Sequence, residues 1–398
     1  MKPIDLSIGK SVEYRMKNKK ICFITSGYPT KDDPSYAFIR PVVEGLADNG
    51  VECTVIAPQS VTGSIFRGRK SRPDMWKDIS KAGNQITIYQ PKFFTMSNLK
   101  LFGCHLSTLL RDVSICRCFK KNKIAADILY AHFWDCGIAA AKLAKKNAIN
   151  NVFVASGESK IRVFQRYKKK VIDRYLPFVK GVICVSTKNL NESKHSGLLT
   201  CMPKTIVLPN AIDKEQFYKT TKVAAREALG IGQEEKIAIF VGAFSERKGV
   251  LRVVEAVEQV DGLKLILIGK GEQKPVSDRI LFSGRVPHGE IVTYLNAADM
   301  FVLPTLAEGC CNAIIEAMAC GLPIVSSNLS FNDDILTDEN SIRVDPNDIN
   351  AIAEAIKKLK DNPVLRQTMA DAALESAKNL TINKRAKNIL EFMNSLPD

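Results

Sequence analysis

The sequence predicts an α/β protein with two doubly wound domains, each built on a mostly parallel sheet. Short apolar runs such as 21–26 and 236–242 alternate along the chain with longer helical patterns, an alternation typical of β-α-β units. A length of 398 residues suits two domains of ordinary size. The run of strands breaks near Leu208–Asp213, where a strand end meets turn-forming residues, so we place the domain boundary there.

The predicted elements fall into two series. In the first, the expected strands are 21–26, 51–57, 85–90, 127–131, 151–156 and 181–186, and the helices are 38–49, 104–121, 135–146, 162–175 and 187–195. In the second, the expected strands are 236–242, 263–269, 279–284, 299–304, 323–327 and 341–344, and the helices are 249–259, 288–297, 312–320, 348–360, 363–377 and 383–394.

These series define the predicted domains. The first covers 1–209, with residues 1–18 expected to be flexible, and the second covers 210–380. Residues 381–398 are expected to form a C-terminal helix that packs back on the first domain. Because doubly wound folds bind ligands at the carboxyl ends of their strands, we expect the site in a cleft between the two sheets.

The composition is that of an ordinary globular protein, with 45% apolar and 25% charged residues. No run reaches the roughly 18 apolar residues of a spanning helix, and the basic, polar start lacks the apolar middle of a secretory signal. We therefore expect a cytoplasmic protein. The 11 cysteines contain no Cys-x-x-Cys pair, which argues against a disulfide scaffold or a structural zinc site.

The charge is divided unevenly between the two halves. Residues 1–209 carry 35 Lys and Arg against 15 Asp and Glu, a net of +20, whereas residues 210–398 carry 22 against 27, a net of −5. Basic clusters such as Arg67–Lys70 and Lys168–Lys170 alternate with aromatic residues. This pattern fits the surface of an anionic membrane and also nucleic acid, while each cluster taken alone favours a solvated face. We expect a membrane surface and no nucleic acid.

The most specific stretch of the sequence is 308–323. Asn312 is the expected N-cap of a short helix. Unpaired amide groups and the positive end of a helix dipole together form an anion site. The expected amides are those of Gly309, Cys310, Cys311 and Asn312.

Two carboxylates, Glu308 and Glu316, flank this anion site. Either would repel a phosphate, but a nucleotide sugar has neutral polyols at both ends of its diphosphate. Carboxylates accept strong charge-assisted hydrogen bonds from such hydroxyls. The stretch therefore indicates a nucleotide-sugar site, with a helix-capping acid and a buried Glu with a local partner as the structural alternative.

These residues resemble the donor-site signature of glycosyltransferase family four, whose members have the GT-B fold of two Rossmann-like domains facing across a cleft and retain the anomeric configuration. The signature is one Glu, seven intervening residues and a second Glu. The resemblance extends over nearly the whole chain from Ile21 onward. Supporting motifs are Leu208–Asp213, Val241–Gly242, Glu246–Gly249, Ile268–Gly271 and Phe282–Val286.

The resemblance implies roles at the donor. Glu308 is expected to bind the transferred sugar's hydroxyls and Glu316 the ribose. Arg247 and Lys248 are expected on the diphosphate, where they stabilise the leaving group. Both precede a predicted helix, where positive charge is unfavourable unless an anion binds there.

Further positions lie at predicted strand ends. By the same resemblance, Gly242 lines the donor site, the backbone of Arg285 and Val286 contacts the base, and the loop at Gly27 approaches the sugar or the acceptor. His132 is expected to contact the donor sugar or position reacting groups, although a purely structural histidine is an open alternative.

The sequence also departs from the family pattern. The first loop has only Gly27 where relatives often show Gly-Gly, and Ser156–Ser159 replaces the usual His-Gly-x-Asp. Ala243 stands where an Arg often follows the glycine. Phosphate binding is therefore expected to depend more heavily on Arg247 and Lys248.

No Asp-x-Asp triplet occurs in the chain, so we expect no metal ion. We also expect no cofactor, since the nucleotide diphosphate sugar is a substrate. The implied reaction is the transfer of a hexosyl unit to a glycan or lipid-linked acceptor. Three alternatives stay open: a nucleotide-sugar epimerase of related fold, a non-catalytic nucleotide-sugar or nucleic-acid binding protein, and a dinucleotide-dependent oxidoreductase. The last is disfavoured because no Gly-x-Gly-x-x-Gly follows the first strand.

Overall fold

A computed structural model describes residues 18–30, 33, 35–62, 71–96, 99–101 and 104–396. Two of the expectations, the flexible start before Asn18 and the basic cluster Arg67–Lys70, lie outside these ranges. The chain forms two compact units. The first comprises 1–185, 189–208 and 383–398, and the second comprises 186–188 and 209–382.

The first unit contains an eight-stranded sheet. Its strands are β1 (Lys20–Ile24), β2 (Glu52–Ile56), β3 (Met75–Ile79), β4 (Gln85–Tyr89), β5 (Ile128–His132), β6 (Asn151–Ser156), β7 (Val179–Cys184) and β8 (Lys204–Val207). Their order is β8-β7-β6-β5-β1-β2-β4-β3, and the pairing is parallel except between β3 and β4. Its helices are α1 (Ile39–Ala47), α2 (Leu106–Lys121), α3 (Trp134–Asn147), α4 (Val163–Arg166), α5 (Lys169–Tyr175) and α6 (Thr187–His195).

The second unit contains a six-stranded, fully parallel sheet. Its strands are β9 (Lys236–Val241), β10 (Leu263–Ile268), β11 (Ile280–Gly284), β12 (Met300–Leu303), β13 (Ile324–Ser327) and β14 (Ser341–Val344), in the order β11-β10-β9-β12-β13-β14. Its helices are α7 (Lys222–Leu229), α8 (Val250–Glu258), α9 (Ile291–Ala297), α10 (Asn312–Ala319), α11 (Ile349–Asp361) and α12 (Pro363–Ala377); α13 (Ile382–Asn394) ends the chain.

Strand order reverses once near the middle of each sheet. In the first unit β1 lies between β5 and β2, and in the second unit β9 lies between β10 and β12. The loops that leave two neighbouring strands at such a point diverge, which opens a crevice at their carboxyl ends. In the second unit, that crevice receives the loops after β9 and β12.

Both faces of the central strands of the first sheet are buried, as a parallel sheet covered by helices requires. Ile21 and Phe23 point to one hydrophobic core, while Cys22 and Ile24 point to the other. α13 contributes to the first of these cores, with the ring of Phe392 6.0 Å from that of Phe153. The C-terminal helix thus belongs to the first unit.

Among the elements that the sequence pattern does not predict are β3, β8 and α7. β3 is an antiparallel edge strand, β8 has only four residues, and α7 is a short, largely exposed helix that Thr221 caps. The prediction of one helix over 162–175 is wrong, because the backbone is extended at Tyr167. This break lets the Tyr167 hydroxyl donate to the buried Asp112 carboxylate at 2.8 Å. Within the described ranges, every helix is too short or too polar to cross a membrane.

Candidate active site

In the second unit, hydrogen bonds join the loop after β9 to the loop after β12. The Leu306 amide donates to the Arg247 carbonyl at 2.8 Å, and the Thr305 hydroxyl oxygen lies 3.2 Å from the same carbonyl oxygen. Ser327, at the end of β13, donates to the Thr305 carbonyl at 2.5 Å. Arg247 and Lys248 are thereby brought beside Glu308.

These three side chains form one charged cluster. Glu308 Oε1 lies 2.6 Å from Arg247 Nη1 and 2.6 Å from Lys248 Nζ, and it also accepts a 3.0 Å hydrogen bond from Thr305. The Lys248 and Glu308 side chains are only 12% and 13% exposed, whereas that of Arg247 is 44% exposed. Two cations and one carboxylate leave the cluster with one net positive charge.

Burial and charge act in opposite directions on the two buried members of the cluster. Burial alone would lower the pKa of Lys248, but Cys311 and Glu308 outweigh it and hold that pKa above its ordinary value. Burial would raise the pKa of Glu308, but Lys248 and Arg247 outweigh it and hold that pKa below its ordinary value. Both groups are therefore ionised at neutral pH.

The start of α10 completes this cluster. Its N-cap is Cys311, not Asn312 as predicted, because the Asn312 side chain is used elsewhere. Asn312 Oδ1 accepts a 2.8 Å hydrogen bond from Asn210, which also donates to the Cys310 carbonyl at 3.1 Å. The buried Cys311 thiol lies 3.9 Å from Lys248 Nζ, so the first turn of α10 faces the cationic side of the cluster.

Glycines shape the wall of this site next to β9. Gly242 follows β9, and its amide donates to the Ile268 carbonyl at 2.9 Å. Gly269 has φ +155°, and a Cβ there would lie 1.8 Å from the Gly242 carbonyl oxygen. Only glycine lets these two loops run so close together. Arg285 and Val286 follow β11, which pairs with β10 and not with β9, and Arg285 is exposed.

Glu316 has a partner that sequence reasoning missed. The Glu316 carboxylate on α10 is buried, and its Oε1 lies 3.3 Å from His288 Nε2. Gln216 Nε2 lies 2.7 Å from His288 Nδ1, and the Phe217 ring packs edge-on at 5.2 Å. The hydrogen bond to Glu316 raises the pKa of His288 above its ordinary value. No local pattern signals this pairing, since His288 and Glu316 meet only through the fold.

The remaining predicted residues lie in the first unit. Gly27 follows β1, and a Cβ there would lie 2.4 Å from the Tyr36 ring. His132 ends β5 and is 6% exposed, and its Nδ1 finds no hydrogen-bond partner among the described residues. Burial, with a smaller contribution from Arg385, lowers the pKa of His132 to about 3, so its ring is neutral at physiological pH.

Glu158, in the loop that departs from the family pattern, caps α3. Its carboxylate accepts hydrogen bonds from the Trp134 amide at 2.8 Å, the Gly157 amide at 3.0 Å and the Ser156 hydroxyl at 3.0 Å. Burial raises the pKa of Glu158 to about 7 despite these donors. The substitution of Ser-Gly-Glu-Ser for the family motif thus places a helix-capping carboxyl next to β5.

Glu158 is expected to make stability depend on pH. Its folded-state pKa of about 7 exceeds its ordinary value of 4.5, so between these values the unfolded chain releases a proton that the folded chain keeps. The free energy of unfolding of the wild type, relative to Glu158→Gln, should fall by about 2 kcal/mol from pH 5 to pH 8. Chemical denaturation of both proteins across this range measures the difference. A difference that is constant or rises with pH would contradict the expectation.

Across the described ranges, no three His, Cys, Asp or Glu side chains gather in a way that could hold a metal ion.

Comparison with known proteins places these features in a family. The model for "Glycosyl transferases group 1" matches residues 222–376, which include Arg247, Lys248, Glu308 and Glu316. A putative teichuronic acid biosynthesis glycosyltransferase of Bacillus subtilis is 28% identical over 376 residues, which are 90% of this chain and 93% of that protein. The UDP-Gal:α-D-GlcNAc-diphosphoundecaprenol α-1,3-galactosyltransferase of Escherichia coli is 26% identical over 73% of this chain and 81% of its own.

Solved structures share the fold over almost the full length. Sucrose-phosphate synthase from Thermosynechococcus elongatus superposes with a TM-score of 0.74 at 19% identity, covering 94% of this chain and 98% of its own. The Anabaena protein HepE, in complex with UDP and glucose, superposes with a TM-score of 0.67 at 15% identity, covering 95% and 100%. The family match over residues 222–376, the full-length relative and the fold shared with these structures together support a group 1 glycosyltransferase with the GT-B fold.

Proposed function

We propose that this protein is a metal-independent, retaining glycosyltransferase that moves a hexosyl unit from a nucleotide diphosphate sugar to a glycan or lipid-linked acceptor. The observation that carries the proposal is the cluster of Glu308 with Arg247 and Lys248 at the strand-order reversal of the second unit. Its net positive charge suits a diphosphate, and its carboxylate suits a polyol.

In this proposal the Glu308 carboxylate pairs with Arg247 and Lys248 until the diphosphate of the donor binds to these two cations. Both cations then turn from Glu308 Oε1 to the diphosphate, where they stabilise the negative charge that develops as the glycosidic carbon–oxygen bond breaks. Oε1 becomes available to accept hydrogen bonds from the transferred sugar's hydroxyls. The first turn of α10 adds amide groups and the positive end of its dipole beside Lys248.

The reaction proposed is a front-face substitution. The acceptor oxygen bonds to the anomeric carbon on the face that the diphosphate leaves, and the acceptor proton passes to a leaving phosphate oxygen. No enzymatic nucleophile is required. The neutral His132 ring would hold a sugar hydroxyl by a hydrogen bond and would not supply a cation.

A thermal-shift panel of UDP-, GDP- and ADP-sugars tests donor binding, because a ligand that binds only the folded state raises the melting temperature. Product NMR with the stabilising donor then reports the anomeric configuration, with EDTA added in a parallel arm. Inversion would refute retention, loss of activity in EDTA would refute metal independence, and an epimer formed from donor alone would favour the epimerase alternative. Donor binding without turnover on a broad acceptor panel would favour a non-catalytic protein.

The acceptor class is proposed from the relatives and from the charge. The names of two relatives refer to teichuronic acid biosynthesis and to diphosphoundecaprenol. We therefore propose a role in cell-surface polysaccharide or glycolipid assembly, on a cytoplasmic membrane surface. The net +20 of residues 1–209 supports attraction to anionic lipid. Exposed apolar side chains close in sequence to lysines also support membrane contact. They are Phe94, Met96, Leu99 and Leu101, near Lys92 and Lys100.

Vesicle flotation tests the membrane proposal. Phosphatidylglycerol vesicles should carry the protein at low salt and release it as salt screens the charges, whereas phosphatidylcholine vesicles should not carry it. The double variant Phe94→Ser with Leu99→Ser should bind more weakly, and Val364→Ser, which removes an exposed apolar side chain in the second unit, should not. Absence of flotation on anionic vesicles at low salt would reject the proposal.

Glu316→Ala is expected to weaken donor binding by about 10- to 100-fold, because a buried carboxylate that accepts hydrogen bonds from hydroxyls contributes roughly 1.5–3 kcal/mol.

His288→Ala should change the donor dissociation constant by only a few fold. In the wild type, donor binding should tighten as pH rises past the raised pKa of His288, because the deprotonated ring holds Glu316 less strongly. Calorimetric titration at pH 6 and pH 8 measures both effects.

The pH effect should vanish in His288→Ala and persist in His195→Ala, a control at an exposed histidine of the first unit. Unchanged donor affinity in Glu316→Ala would remove Glu316 from the donor site.

A further inference from the structure

Two exposed aromatic rings stand beside the carboxyl ends of β1 and β5. Tyr36 is 37% exposed and Phe38 is 38% exposed, so each ring keeps part of its surface open to solvent. Their ring centroids lie 6.2 Å apart, and the Phe38 ring also lies 5.8 Å from that of Phe133. The rings form a continuous, partly exposed aromatic surface at the strand-order reversal of the first unit.

The backbone holds Tyr36 in place at an energetic cost. Tyr36 has φ +66°, a left-handed conformation that is uncommon for a residue with a large side chain. Its ring lies against the backbone of Gly27, where a Cβ would be only 2.4 Å away. Three residues before Tyr36, Asp33 pairs with Arg72 and accepts a 2.9 Å hydrogen bond from the Ser35 amide.

A buried polar atom lies next to these rings. The His132 and Phe38 rings pack in a T-shaped arrangement, with their centroids 6.3 Å apart. His132 is more than nine-tenths buried, and its Nδ1 has no partner among the residues that the structure describes. Buried polar atoms in native proteins are usually hydrogen-bonded, so His132 Nδ1 would gain a partner if a ligand hydroxyl reached the ring. The aromatic surface and the imidazole therefore point to a ligand that is apolar on one face and polar at its rim.

We propose that Tyr36 and Phe38 form a stacking platform for a pyranose ring of the acceptor, with His132 beside its rim. This inference rests on the proposed function and specifies how the first unit recognises its acceptor. A pyranose presents one face of C–H groups and a rim of hydroxyls. The C–H face carries partial positive charge and complements the negative face of an aromatic ring, while a rim hydroxyl can hydrogen-bond a neutral imidazole.

Saturation-transfer NMR on the full chain tests the platform with defined probes. The probes are the methyl glycosides of glucose, galactose, mannose and N-acetylglucosamine, at concentrations of about 10 mM that suit the weak binding of a single sugar. At least one glycoside should receive saturation on its ring C–H protons. In the double variant Tyr36→Leu with Phe38→Leu, which keeps apolar bulk and removes the rings, that signal should fall at least fivefold.

Matched variants separate the platform from general effects. Phe164→Leu removes a ring of equal exposure, 39%, elsewhere in the first unit and should leave the signal unchanged. Tyr36→Phe with Phe38→Tyr keeps both rings and should retain it. The Glu308→Gln variant should retain it as well, since a loss there would place the sugar in the donor site and overturn the proposal.

The donor thermal shift separates this proposal from the proposed function. If a nucleotide sugar stabilises wild type and double variant alike but no glycoside receives saturation, or if the double variant keeps the full signal, the platform is refuted and the donor assignment stands. If no nucleotide sugar stabilises the wild type, the proposed function itself fails. With a known acceptor, the double variant should raise the acceptor KM about tenfold or more and leave the donor KM unchanged.

Discussion

Replacing Glu308 by glutamine is expected to lower turnover by about 100- to 1000-fold while the protein stays folded. The amide keeps the shape of the carboxylate but loses its charge, so it accepts weaker hydrogen bonds from the transferred sugar. It also leaves Lys248, 12% exposed, without its carboxylate partner. Losses of this size are typical when one charge-stabilising group is removed from an active site. Steady-state kinetics with the donor identified by thermal shift measures kcat and KM separately.

Glu339→Gln is the matched control for this change. Glu339 is an exposed acid in the same unit, between β13 and β14, so its replacement should leave turnover within about twofold of wild type. The melting temperature of both variants shows whether any loss reflects unfolding. If Glu308→Gln keeps more than one third of the wild-type kcat, the role that we propose for Glu308 is wrong.

The fold could be read from the sequence wherever burial imposes a strong pattern. All of the central strands are apolar runs because both faces of each sheet are covered, and their observed bounds differ from the predicted ones by only a few residues. The pattern fails at the margins. β3 alternates weakly at an edge, and β8 is short and half exposed, so neither produces a buried run. The two-helix break at Tyr167 depends on a side chain that reaches Asp112 in another element.

The candidate site was predictable only where its residues are local in sequence. The stretch from Glu308 to Glu316 sits on one loop and one helix, so its spacing alone indicates a site. The structure adds that Arg247 and Lys248 meet Glu308, which the resemblance implied by role but not by contact. His288 could not be found in this way, because its only signal is its distance from Glu316 in space.

The predicted N-cap at Asn312 shows a different limit. Asn is a favoured N-cap residue, so the pattern is sound in isolation. In the structure, the side chain of Asn210 donates to the Asn312 side chain from 102 positions earlier in the chain. The N-cap residue of α10 is Cys311. Long-range contacts that override a local preference leave no trace in the local sequence.

Replacing Lys248 by methionine is expected to lower kcat by about 100- to 1000-fold, with a smaller rise in the donor KM. Methionine preserves the apolar stem and removes the ammonium group that we place on the leaving diphosphate, whose charge grows most in the transition state. The variant should also move the acid limb of kcat/KM to higher pH. Burial raises the pKa of Glu308, and Lys248 contributes the largest effect that lowers it. Without Lys248, the pKa of that carboxylate should therefore be higher. A pH profile of kcat/KM from pH 5 to pH 9 measures the shift.

Lys357→Met removes an exposed lysine from α11 in the same unit and should change neither kcat nor the pH profile. The double variant Lys248→Met with Glu308→Gln carries the sharper test. If the two groups act as one unit, its loss of turnover should be close to that of the worse single variant, because residues that act together lose activity non-additively. Losses that multiply, together with an unshifted acid limb in Lys248→Met, would mean that the ion pair seen between these side chains has no part in the reaction.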